Sequence, residues 1–164
     1  MNTDETVLKQ PIVIFSFLIA VFCVFPSYAQ QSEIHTEVIA NPNVVQHSIS
    51  TRQLRRVFML KQRTWDDGRP ISLIVFPSDN ETHSLFLRHS LRLFPYQLDR
   101  EWNKLVYSGQ AAPPIIVSDI ESMVHIVGST PGAVGYLVSS SKRSQEDLRK
   151  LKEQRVKTLK VTSS

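Results

Sequence analysis

From Glu37 to Val138 the hydrophobic positions alternate between short unbroken runs and a spacing near that of a helix turn, which predicts strands interleaved with helices. HTEVIANPNVV predicts a short first strand that stops at Asn41-Pro42-Asn43, where proline removes a ladder donor. Ser50-x-x-Gln53 has the form of a capping box. Leu54, Val57 and Phe58 behind it share one helix face, which leaves Arg52, Arg55 and Arg56 outside. Asp67-Gly68 predicts a tight turn, and the continuous apolar residues of ISLIVFP predict a strand covered on both faces. SDNETHSLFLRHSLRLF predicts a loop and then a helix with Leu87, Leu91 and Phe94 inward. A third helix from Tyr96 to Tyr107 aligns Leu98, Trp102, Leu105 and Val106 and stops at Ser108-Gly109.

After a brief strand in PPIIV, Ser118-x-x-Glu121 predicts a cap for a helix with Ile120, Val124 and Val127 inward. Pro131-Gly132 ends that helix and turns the chain into AVGYLV, where Gly135 leaves bare backbone for a neighbouring element to approach. A basic, charged helix over residues 141–153 and a closing strand over 155–162 complete the pattern. Strands alternating with helices predict an α/β fold, a mixed or mainly parallel sheet flanked by helices.

The first residues belong to a different pattern. Pro11 to Pro26 is an uncharged apolar run followed by SYAQ, in which Ala29 ends a small-x-small motif. Residues 1–29 therefore read as a signal peptide for export to the periplasm, too short in its apolar run for a membrane span. The only cysteine, Cys23, lies in that run. Residues 30–164 form one domain's length without thiols, with no stable membrane span expected after processing. The chain carries 19 Lys+Arg against 15 Asp+Glu, and eight of those bases with three of the acids lie in 141–164. The basicity belongs to the tail, so the charge pattern does not suggest nucleic acid as a partner.

Little in the sequence suggests reaction chemistry. The histidines lack metal-ligand spacing and read as surface residues, so no metal site and no cofactor is expected. There is no nucleophile elbow, cysteine nucleophile or phosphate-binding Walker loop, so no catalytic residue is assigned and the protein is read as a non-enzyme. Trp65 and Trp102, beside leucines at helix or turn spacing, read as core. At the start of the second helix, unpaired N–H groups together with Ser78 and Thr82 can receive a small anion. Asp79 or Asn80 as an N-cap explains the same residues without one.

Four segments in this order, LRRVFMLKQRTWDDGRPISLIV, HSLFLRHSL, EWNKLVYSGQAAPP and GSTPGAVGYLV, resemble the phosphate-binding subunits of bacterial phosphate ABC transporters, members of the type II periplasmic substrate-binding superfamily. The resemblance implies one α/β lobe of a two-lobed anion clamp, with residues 30–164 as a single-lobe domain. It implies phosphate or a similar small anion as ligand, in transport or sensing, and with the helix-start donors it makes Ser78, Asn80 and Thr82 the expected ligand-binding positions, of which Thr82 alone matches the family's residue in type. Asn80-Glu81-Thr82 stands where the family has Ser-Gly-Thr, and Phe76 where it has an arginine. The alternative is a non-catalytic protein–protein interaction module of the cell envelope built on the same lobe, with a transporter or envelope protein as partner.

Overall fold

A computed structural model of the protein describes residues 34–140, 142–153 and 155–163. The expected signal peptide lies outside these residues. Among them no helix is long and apolar enough to cross a membrane.

The elements in chain order are β1 (His35–Ala40), β2 (Ser48–Ser50), α1 (Thr51–Phe58), β3 (Ser72–Val75), α2 (Glu81–Phe86), α3 (Pro95–Tyr107), β4 (Ile115–Ile116), α4 (Ile120–Ser129), β5 (Ala133–Ser139), α5 (Lys142–Lys152) and β6 (Lys157–Thr162). They build one sheet in the order β2-β6-β1-β5-β3-β4. Strand β1 runs antiparallel to both β5 and β6, with Val38 opposite Tyr136 and Leu159, whereas the β2–β6, β5–β3 and β3–β4 pairs are parallel. The sheet is therefore mixed, as the alternation of elements predicts.

Every residue from Ala133 to Leu137 is buried, because β5 is a central strand with helices on both faces. On one face α4 presses so closely that a Cβ at Gly135 would lie 2.6 Å from Met123 Sδ and 3.0 Å from Val127 Cγ2. The bare backbone inside the strand is thus a packing device. On the other face Tyr136 enters an aromatic cluster, stacked on Phe86 at 4.0 Å between centroids and tilted against Phe58.

The N-terminus of α1 is capped as predicted, Ser50 Oγ accepting from Gln53 N, with Leu54, Val57 and Phe58 buried. Both tryptophans are core, and each indole N–H donates to a backbone carbonyl: Trp65 to Gly132 and Trp102 to Phe58. Asn41 and Asn43 do more than stop a strand. Asn41 Nδ2 donates to the last carbonyls of α4, at Val127 and Gly128, while Asn43 Oδ1 accepts from Gly132 N, tying the end of α4 to the turn into β5.

Three local expectations need correction. After α2 the backbone forms a π-helical turn, Leu87–Leu91, and Arg92 takes left-handed angles, so the helix period breaks. Leu87, Leu91 and Leu93 are buried, while Phe94 is displaced to the surface and stacks on Tyr96. The cap of α4 is Asp119, whose carboxylate accepts from Ser122 N, so the box expected at Ser118 is shifted by one residue. Ile120 consequently lies outside and Met123 inside. Leu148 and Leu151 of α5 pack against the core. Finally, His83 is buried rather than on the surface.

Candidate functional site

The loop from Phe76 to Asn80 leaves the end of β3 and enters α2, the position at which an open α/β sheet offers backbone donors to a ligand. The sequence places an N-cap there, and the cap is Asn80. Its Oδ1 accepts from Thr82 N at 2.8 Å and from His83 N at 3.4 Å. Two of the donors that an anion would use are therefore directed at an amide oxygen of the same loop. The Ser78 hydroxyl donates to Asp99 Oδ1 at 2.5 Å, a charge-assisted bond from the loop to α3. Ser78, Asn80 and Thr82 lie at this one helix start, with Ser78 and Asn80 engaged within the protein. Asp79 lies in the same loop, Glu81 opens α2 and Asp99 reaches Ser78 from α3, so three carboxylates belong to this helix start and its partner.

Behind the loop lies a polar pair that the sequence does not reveal. The Tyr136 hydroxyl accepts from Phe76 N at 3.1 Å and meets His83 Nδ1 at 2.6 Å. With the hydroxyl donating to Nδ1, neutral His83 carries its proton on Nε2. Nε2 has no hydrogen-bond partner among the described residues. Burial lowers the His83 pKa to about 4, against a smaller opposing pull from Asp99. Burial also raises the Tyr136 phenol above its usual range. This pair ties α2 and the loop to β5 through Phe76, at the position where the family resemblance implies an arginine.

Other polar groups have local roles. Asp67 Oδ1 accepts from Arg69 N and its carboxylate pairs with the Arg69 guanidinium at 3.1 Å, which closes the turn at Gly68. Backbone and side-chain bonds from Ser122 lower the Asp119 pKa, as fits a helix cap. His125 Nδ1 meets Arg155 Nη1 at 3.0 Å on the far side of α4. No group of three or more metal-ligating side chains converges among the described residues.

A surface depression adjoins the loop. It has a volume of about 290 Å³, and its lining includes Ser78, Asp99, Trp102, Tyr107, Pro114 and Ile116. Tyr107 is 88% exposed and Ile116 65% exposed, unusual for large apolar side chains this close together. The sequence signal available for this depression was the run Pro113-Pro114-Ile115-Ile116, which placed a brief strand but not its exposure.

No protein-family model and no curated protein sequence matches the chain. Solved structures do match. PstS from Borrelia burgdorferi is 15% identical with a TM-score of 0.52, over 81% of this chain and 52% of that one. A possible phosphate binding protein from Planctomyces limnophilus is 16% identical with a TM-score of 0.54, over 81% and 43%. A protein from Clostridium perfringens, assigned as a phosphate ABC transporter substrate-binding protein and solved with bound phosphate, is 15% identical with a TM-score of 0.55, over 78% and 45%. The chain spans about half the length of these proteins. At such identity the likeness is one of fold: this chain has the mixed α/β fold of a periplasmic-binding-protein lobe, like that of phosphate ABC transporter substrate-binding proteins.

Proposed function

We propose that the protein is a substrate-binding-protein-like lobe of the cell envelope that holds a protein partner and has no catalytic role. The observation that carries this reading is the self-satisfied loop at the start of α2. Asn80 occupies two of the helix-start donors, at Thr82 and His83, Ser78 is bonded to Asp99, and no cation stands among these residues to offset the carboxylates. Phosphate would have to displace the Asn80 cap and approach Asp79, Glu81 and Asp99 without an arginine to pair with.

A second reading, capture of phosphate or a similar small anion at Ser78, Asn80 and Thr82, is favoured by the bound phosphate of the Clostridium perfringens neighbour. Calorimetric titration with phosphate, combined with amide chemical shifts, separates the two. The interaction-module reading expects no heat and no movement of the Ser78 to His83 amides at 10 mM phosphate, roughly the weak end of affinity for a half-open anion site. Saturable shifts at those amides, strengthened by Glu81→Gly, would establish the anion reading instead.

Export is part of the proposal. The apolar run and Ala29 lead us to expect a processed protein that begins at Gln30 in the periplasm. Intact-mass measurement on material from the envelope fraction checks this, and a mass that includes residues 1–29 would refute it.

A further inference from the structure

The depression beside Asp99 has a chemistry opposite to that of an anion site. None of the residues lining it is basic, and the same holds for a neighbouring hollow of about 360 Å³ on the other side of Ile116, bounded by Pro77, Ser118 and Ile126. The two hollows share Ile116, so the exposed end of β4 forms a ridge between them. Tyr107 stands over the first hollow, while Val106 and Pro114 supply aliphatic wall. Asp99 Oδ1 accepts from Ser78, and Oδ2 has no partner among the described residues. An open carboxylate oxygen beside an aromatic ring and aliphatic walls complements a side chain with a long apolar stem and a cationic head.

The backbone adds a direction. Strand β4 is the edge of the sheet, paired on one side only, with β3. Val117 N donates to Val75 O, so Val117 faces β3. By the two-residue period Ile116 then turns its own N–H and C=O away from the sheet. Pro113 and Pro114 offer no N–H, so this edge presents only a short pairing site, next to the carboxylate.

We propose that this groove receives an arginine or lysine side chain carried on a short extended apolar segment of a partner protein, with the cation at Asp99 and the flanking aliphatic residues on Ile116 and Tyr107. The inference rests on the partner-binding reading above and names the partner's chemistry. Charge selects the occupant, because Asp99 is the one carboxylate in the lining of the groove and no base lines it.

The test uses protein purified after expression of the full chain and three probes: acetyl-Ser-Ile-Arg-Val-Ser-amide, the same peptide with citrulline for arginine, and the same peptide with glutamate. The arginine peptide should shift the Ile116 methyl and Tyr107 ring signals saturably. The citrulline peptide should bind about tenfold more weakly, the loss expected when a charge-assisted bond becomes a neutral one. Asp99→Asn keeps the shape and an acceptor for Ser78, and should remove the preference for arginine over citrulline while the Trp65 and Trp102 indole signals stay in place. Unmoved Ile116 and Tyr107 signals, or equal shifts from the glutamate peptide, would overturn the proposal. So would concentration-dependent movement of these signals without peptide, which would assign the groove to a second copy of the chain. Phosphate binding at Ser78 to His83 would overturn the parent reading, whereas a silent arginine peptide overturns this inference alone.

Discussion

Gly132→Ala should lower stability by about 3 kcal/mol and the melting temperature by on the order of 10 °C. Two costs add. The backbone sits at φ 72°, a left-handed conformation that an L side chain pays roughly 1 kcal/mol or more to adopt. In addition, a Cβ there would lie 2.3 Å from the carbonyl oxygen of Pro70. That oxygen belongs to backbone held by the Thr64–Pro70 bridge, and the Gly132 carbonyl itself accepts the Trp65 indole at 2.9 Å. Relief of the overlap would therefore disturb a buried tryptophan and the parallel β3–β5 pair together. Gly68 supplies the control. It has φ 85° but nothing within 4 Å of its would-be Cβ, so Gly68→Ala should cost only the backbone share, about 1 kcal/mol. Thermal melts of the two variants decide the point, and equal losses would show that the overlap at Pro70 carries no weight.

Stability should also fall by about 3 kcal/mol between pH 6.5 and pH 4 through His83 alone. Above pH 6.5 the imidazole is neutral in the folded and unfolded chain alike, and its environment adds no pH dependence. Below that, the unfolded chain takes up a proton at the ordinary value of 6.5, while the folded chain resists until about 4. The unfolded state then binds more protons, so unfolding becomes easier as pH falls through this window. Below about pH 4 both states are protonated and the loss from this group levels off. The physical cause is twofold. Burial removes the solvent that would stabilise imidazolium, and a proton on Nδ1 would leave the Tyr136 hydroxyl without an acceptor, because that oxygen already receives Phe76 N–H. Denaturant unfolding across pH 4 to 7 should show this slope in the native protein, and His83→Gln should reduce it. A variant with the same slope would assign the pH dependence to groups other than His83.

Local chemistry made much of the fold legible in the sequence. The Ser50 cap, the Asp67-Gly68 turn and the Pro131-Gly132 stop are written in residues that act within a few positions of themselves, so no tertiary information is needed to read them. The same holds for the buried run of β3 and for the strand that carries Gly135, whose lack of a side chain already implied a close neighbour.

Tertiary structure decided what depends on distant partners. His83 carries no signal in its own neighbourhood that separates a surface imidazole from a buried one. Its fate follows from Tyr136, which lies on another element and supplies the hydroxyl. Phe94 fits a helical period, yet the π-helical turn and the left-handed Arg92 rotate it out of register, a change set by how Leu91 and Leu93 reach the core. The loop at Ser78 to Thr82 was readable as a helix start, but the direction of its donors was not. That depended on Asn80 rather than Asp79 taking the cap, and on Asp99 arriving from α3 to meet Ser78. Short-range capping and turn chemistry determined the order and type of the elements, whereas the charge and openness of the site arose only when helices separated in sequence were packed against one sheet.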